Sequence, residues 1–221
     1  MSNNGHARTR VCAESTSQVN RPGDYFKALA ALIQRIPASR VEDIAEVLLR
    51  AREDSKRVLL FGNGGSASLA SHFACDLGKG TTARCCNPLK RFRAIALTDN
   101  IPMMTAWAND SSYDDIFSEQ LRNLIEPGDV AFAISGSGNS PNVLKALETA
   151  RAAGGFTVGL TGFQGGKMKK LCNLYLIVPS DNMQLIEDVH LSVAHALFTT
   201  IRHKLESALV DTTTSLAGVT P

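Results

Sequence analysis

The stretch Val130-Ala-Phe-Ala-Ile-Ser-Gly-Ser-Gly-Asn-Ser-Pro-Asn142 decides the fold, because an apolar run of strand type stops in a Ser/Gly loop that opens a helix. A helix N-terminus offers unpaired backbone N–H groups and a partial positive charge, which together favour phosphate. Ser135, Ser137 and Ser140 add hydroxyls, while Gly136 and Gly138 let the backbone come close to an anion. Pro141 suits the first helical turn, directly after a serine able to cap it. The loop has no Lys-Ser/Thr pair after a glycine and no GxGxxG spacing, so it matches neither common nucleotide signature. A phosphate ester smaller than a nucleotide is the expected ligand; the plainer reading of this stretch taken alone is an ordinary Ser/Gly turn.

A second junction of the same kind changes that balance. Arg57-Val-Leu-Leu-Phe-Gly-Asn-Gly-Gly-Ser-Ala-Ser68 again runs from an apolar strand into a Gly/Asn/Ser loop and then a helical pattern. In a parallel sheet both loops emerge at one edge, in the crevice where open α/β sheets bind ligands. Around them, strands are predicted near 57 to 62, 93 to 98, 129 to 135, 156 to 162 and 174 to 179. Helices are predicted at Asp24 to Ile36 and Ser39 to Glu53, separated by Pro37, and near 66 to 77, 112 to 125, 141 to 153 and 184 to 206. The fold class is therefore α/β, a doubly wound five-stranded parallel sheet with an N-terminal helical extension. One domain over 21–207 is expected, between tails at 1–20 and 208–221 too polar and small to order.

Composition narrows the function. The chain has 221 residues, 44% hydrophobic and 20% charged, enough for a full core. A net charge of +2 points to no polyanionic partner, so nucleic acid is not expected. Lys79, Arg84, Lys90, Arg91 and Arg93 form a basic cluster without interleaved aromatics, read as a solvated loop. No stretch approaches the roughly 20 apolar residues of a membrane span, and the N-terminus lacks a signal-peptide core, so the expected location is cytoplasmic. Cysteines at 12, 75, 85, 86 and 172 form no CxxC pair, which fits reduced thiols.

Candidate chemistry lies on two of the predicted helices. In Ser71-His-Phe-Ala-Cys-Asp76, His72 and Asp76 are four residues apart and share one helical face. An imidazole and a carboxylate so placed can bind one metal or act as an acid/base pair; an exposed His beside a solvated Asp is the bland alternative. Met183-Gln-Leu-Ile-Glu-Asp-Val-His-Leu-Ser-Val-Ala-His195 places two acids and two histidines in an otherwise apolar helix. Buried charge needs pairing or coordination, so Glu187, Asp188, His190 and His195 are either a surface stripe or a site. At about 100° per residue Asp188 and His195 fall nearly in line, with Glu187 and His190 to either side. Spacing does not choose between Glu187 and Asp188.

Seven motifs in order, FGNGGSA, SHFACDL, AIALT, TAWANDSSYDDIFSEQL, PGDVAFAISGSGNSPNVLKALE, LTGFQGGKMKK and IEDVHLSVAH, span about residues 24 to 206. They resemble the sugar-isomerase (SIS) domains, and among them the sedoheptulose 7-phosphate isomerases, or phosphoheptose isomerases. The resemblance implies an aldose-ketose isomerisation giving a glycero-manno-heptose 7-phosphate through an enediol, in heptose biosynthesis. It implies a divalent metal, zinc, held by His72, Asp76, Glu187 and His195, with Asp76 as base and His195 as its acid/base partner. The phosphate of a small phosphosugar would lie on Ser135, Gly136, Ser137 and Ser140. Asn63, Gly64, Gly65, Asn109 and Asp110 would face the sugar, and Ser66 would cap its helix or touch the ligand. Asp76 and Glu187 are also placed on the substrate. A homotetramer with sites near subunit interfaces is implied as well. The chain departs from the family pattern at Asp76, where Glu is usual, at Glu187, where Gln is usual, and at Gly136, where Thr is usual. The basic residue that often follows the His-containing helix is also shifted, the nearest here being Lys79. The competing class is a non-catalytic SIS module that binds a phosphosugar or a protein partner.

Overall fold

The computed structural model describes residues 19–82 and 90–217. Its centre is a parallel sheet of β1 (Arg57–Gly62), β2 (Arg93–Ala96), β3 (Val130–Ser135), β4 (Phe156–Thr161) and β5 (Leu174–Ile177) in the order β2-β1-β3-β4-β5. Register places Val58 beside Val130 and Val130 beside Phe156. The five strands stand where the apolar runs predicted them, with ends within two residues.

Side chains alternate across the sheet, so the central strands β1 and β3 feed two cores. Val58, Leu60, Val130, Phe132 and Ile134 face one way, into a core closed by α1 (Pro22–Ile33), α2 (Ala38–Glu53), α3 (Gly65–Cys75) and α7 (Met183–Ala217). Leu59, Phe61, Ala131 and Ala133 face the other way, onto α4 (Ile101–Asp110), α5 (Ser118–Leu124) and α6 (Pro141–Ala152). Every residue of β3 is buried, as expected for a strand covered on both faces.

This order creates the crevice. The chain leaves β1 through α3 toward β2 on one side, and leaves β3 through α6 toward β4 on the other. Since α3 and α6 lie on opposite faces, the connections diverge above the carboxyl ends of β1 and β3, at the topological switch point. Both loops singled out in the sequence, residues 62–65 and 135–140, sit there.

Several boundaries differ from expectation. α4 was not predicted; it starts with Asn100, whose side chain accepts the Met103 N–H, and has Pro in its first turn. Residues 112–125 are not one helix but a 3-10 turn at Tyr113–Asp115 followed by α5, a break that lets the adjacent Ile116 and Phe117 both enter the core. α3 passes at Asp76 into a π-helical turn, Asp76–Gly80. α7 runs to Ala217, past its expected end at 206 and into the stretch expected to be disordered. Extending an existing helix carries no nucleation cost, so weakly helical residues can follow it. The rest of the expected tails, residues 1–18 and 218–221, lies outside the described residues.

Candidate active site

Two helix starts flank the switch point. Gly64 precedes α3 with φ 55 and ψ −122, a backbone region open to glycine, and the chain turns there from β1 directly into α3. Ser140 precedes α6, but its side chain does not cap that helix; its Oγ lies 3.3 Å from Ser135 Oγ. The first turn of α6 is partly satisfied by its own residues, since Pro141 has no N–H and the Val143 N–H donates to Asn142 Oδ1 at 2.9 Å; the two serine hydroxyls stand beside it. Ser137 Oγ accepts the Asn139 N–H at 3.2 Å, which closes the loop on itself. Ser66 is buried inside the first turn of α3, so capping is not its role.

The loops are braced together. Asn63 and Asn142 exchange reciprocal amide hydrogen bonds at 2.9 and 2.8 Å, and the Tyr113 hydroxyl donates to Asn63 Oδ1 at 3.2 Å. Asn63, expected to face a sugar, is thus tied between α6 and the 3-10 turn. Asn142 and Tyr113 do not stand out in the sequence; the available signal was an Asn in the first turn of α6, directly after Pro141. Asn109 and Asp110 end α4, both exposed, with Asn109 Nδ2 donating to Asp110 Oδ1 at 2.7 Å.

Against the other core face, α3 and α7 bring three expected residues together. His72 Nε2 lies 3.0 Å from His195 Nε2 and 3.5 Å from Asp76 Oδ2. One ligand atom from each of His72, Asp76 and His195 falls within 4.8 Å of the others, a group able to hold a metal ion. Two imidazoles and a carboxylate suit a divalent cation, and the Asp at the start of the π-turn keeps its helical i,i+4 relation to His72.

Glu187 does not join that group. It lines the same cavity, about 450 Å³, with Gly65, Ser66, His72, Asp188 and His195. A β-carbon placed on Gly65 would lie 2.8 Å from Glu187 Oε2, so the carboxylate rests against the start of α3. Asp188 instead accepts the Tyr25 hydroxyl at 2.5 Å, which separates two neighbours that spacing had left equivalent. Tyr25 is pushed up to about 12 by burial and by that hydrogen bond, and so remains a donor.

Other expectations bear on the surface. Arg84 lies outside the described residues, while Lys90 pairs with Glu53 at 2.9 Å and Arg93 donates to the Ser55 carbonyl at 3.0 Å. Cys75 and Cys172 are free thiols; Cys12, Cys85 and Cys86 lie outside the described residues. No helix among the described residues is long and apolar enough to cross a membrane.

Comparison with known proteins identifies the family. The SIS domain matches residues 24–162. The phosphoheptose isomerase of Trichlorobacter lovleyi is 40% identical over 185 residues, 79% of this chain and 89% of the relative. That of Aquifex aeolicus is 39% identical over 160 residues, 72% of this chain and 82% of the relative. Among solved structures, phosphoheptose isomerase GmhA from Neisseria gonorrhoeae superposes with a TM-score of 0.74 at 31% identity, covering 81% of this chain and 95% of that one. The Francisella tularensis phosphoheptose isomerase gives 0.75 at 28% identity, covering 85% and 99%. The chain belongs to the SIS domain family and, within it, to the phosphoheptose isomerases.

Proposed function

We propose that this chain converts sedoheptulose 7-phosphate into a glycero-manno-heptose 7-phosphate in heptose biosynthesis. The observation that carries the reading is the convergence of His72, Asp76 and His195 from two helices, beside a switch-point loop able to take a phosphate. Membership of the phosphoheptose isomerases supports the same substrate.

The phosphate end is held by the hydroxyls of Ser135, Ser137 and Ser140 and by the N–H groups of the loop at Gly136 and of α6. Gly64, Gly65 and Ser66 line the approach from α3, and Asn63, Asn109 and Asp110 are assigned to the sugar. Asp76 takes a proton from carbon 1 of the ketose, and the electron pair of that C–H bond forms the double bond of the enediol. His195 donates a proton to the carbonyl oxygen at carbon 2. The hydroxyl on carbon 1 then loses its proton to give the aldehyde, and carbon 2 receives one, so no electrons leave the substrate. No redox cofactor is needed.

Zinc is the metal that we assign to His72, Asp76 and His195, with Glu187 as a fourth donor from the cavity wall. His72 Nε2 and His195 Nε2, 3.0 Å apart, would be the two imidazole donors, and Asp76 a carboxylate donor beside them, a set suited to zinc. When bound, the ion supplies electrophilic stabilisation of the developing oxyanion. A non-catalytic module would need the anion loop alone, and the two imidazoles and two carboxylates would serve no purpose in it. We further propose a cytoplasmic homotetramer, supported by the apolar side chains exposed on α1 and α7.

The test is product formation followed by NMR. Zinc-loaded protein is expected to convert sedoheptulose 7-phosphate, to lose turnover on chelation and to regain it on zinc addition. Asp76→Asn is expected to lower turnover by roughly 10²–10⁴-fold while sparing phosphate binding. Unchanged turnover after chelation, or in Asp76→Asn, overturns the assignment.

A further inference from the structure

Gly136 sits in the middle of the phosphate loop, yet its backbone is not in the left-handed region that favours glycine, unlike Gly138 with φ 62. Space, not conformation, is what a side chain there would contest. A β-carbon on Gly136 would lie 2.5 Å from Met183 Sδ and 3.3 Å from Met183 Cε. The thioether therefore occupies the volume into which residue 136 would project. Met183 is the first residue of α7, the helix that also carries Glu187 and His195.

The loop cannot easily yield to relieve such a contact. The Gly136 carbonyl accepts the Gly162 N–H at 2.8 Å, the Gly138 N–H donates to Ser135 at 3.1 Å, and the Gly138 carbonyl accepts the Met168 N–H at 3.0 Å. Ile186, one turn after Met183, presses on the neighbouring chain in the same way: a β-carbon on Gly162 would lie 2.5 Å from Ile186 Cδ1. Two residues of one helical turn thus rest on two hydrogen-bonded glycines at the carboxyl edge of the sheet.

We propose that Met183 is a positioning residue for the phosphate end of the substrate: by filling the space at Gly136 it sets the shape of the anion loop and locks that loop to the helix bearing the metal-competent His195. The inference rests on the phosphosugar reading above. Polarizable and unbranched, the Met side chain fits an irregular gap, and close packing makes a change on one side of such a contact felt on the other.

The experiment is a double-mutant cycle on zinc-loaded full-length protein. Wild type, Met183→Leu, Met183→Ala, Gly136→Ala and Gly136→Ala/Met183→Ala are compared for inorganic phosphate Kd by calorimetry and for KM and kcat with sedoheptulose 7-phosphate. Gly136→Ala is expected to weaken phosphate binding and raise KM about tenfold, with kcat held within about twofold, the signature of lost ground-state binding. Met183→Ala is expected to raise both severalfold, Met183→Leu to stay within about twofold of wild type, and Gly136→Ala to add no further loss in the Met183→Ala background. Equal penalties of Gly136→Ala in both backgrounds, or coupling visible only in melting temperature, overturn the proposal. If Gly136→Ala does not fold, an unchanged phosphate Kd in Met183→Ala overturns it alone. Wild-type protein that binds phosphate without isomerising sinks the activity while the coupling is still read from Kd, and wild-type protein that binds no phosphate overturns both.

Discussion

His190 lies within one helical turn or two of Glu187 and His195 but faces the core, 1% exposed, and neither ring nitrogen has a hydrogen-bond partner of normal geometry. Burial pushes its imidazole down to about 4, opposed in part by the Thr161 backbone. The unfolded chain protonates this residue near its ordinary 6.5, so below that pH the unfolded state binds more protons than the folded one. The associated stability is complete above about 6.5 and is lost as pH falls toward 4, about 2 kcal/mol between pH 7 and 5. His190→Leu is expected to show a correspondingly smaller drop in urea-unfolding free energy between those two pH values. An identical drop in variant and wild type would place the titration elsewhere. The sequence brought His72 and Asp76 together because one helix holds both, but whether His190 or His195 joins them depends on which face of α7 meets α3. Likewise nothing local distinguishes Glu187 from Asp188 until Gly65 and Tyr25 are placed against them.

At the scale of elements, legibility followed apolar patterning. All five strands carry apolar runs, whereas α4 contains no buried residue and so left no periodic signal beyond its Asn-Ile-Pro start. The end of α7 was missed for a related reason, since its last turns lack the apolar spacing that marked the first. The joint between α1 and α7 is equally invisible locally, as Tyr25 and Asp188 are 163 residues apart. Their hydrogen bond places a phenol on a carboxylate that lines the active-site cavity, and a hydrogen bond to a charged, partly exposed group contributes about 1–2 kcal/mol. Tyr25→Phe should lower unfolding free energy by that amount in urea titration and speed amide exchange across Pro22–Ile33. Exchange rates equal to wild type there would show that apolar packing alone holds α1 in place.

For the whole molecule, the sheet order follows from strands and crossovers, but a single chain leaves apolar surface for which the fold itself has no use. Phe26 is 66% exposed and Ile33 42% exposed on α1, and Leu191 is 39% exposed on α7. Ile33 also lines a groove of about 260 Å³ with Ile36, Val41, Val189 and Val193. Clustered apolar surface on neighbouring helices marks an interface more often than scattered exposed side chains do. Closed symmetric assemblies bury such patches by pairing them with their own copies, so one substitution is repeated at every equivalent contact. Sedimentation of the wild type is accordingly expected to give four times the chain mass, and Phe26→Asp/Ile33→Asp a smaller species that keeps its helical circular dichroism. A wild-type monomer, or a double variant that sediments with unchanged mass, would remove α1 from the interface. Because Leu191 lies between Glu187 and His195 on α7, the dissociated variant should also lose turnover while retaining phosphate binding, since the anion loop at β3 and α6 stands apart from that surface.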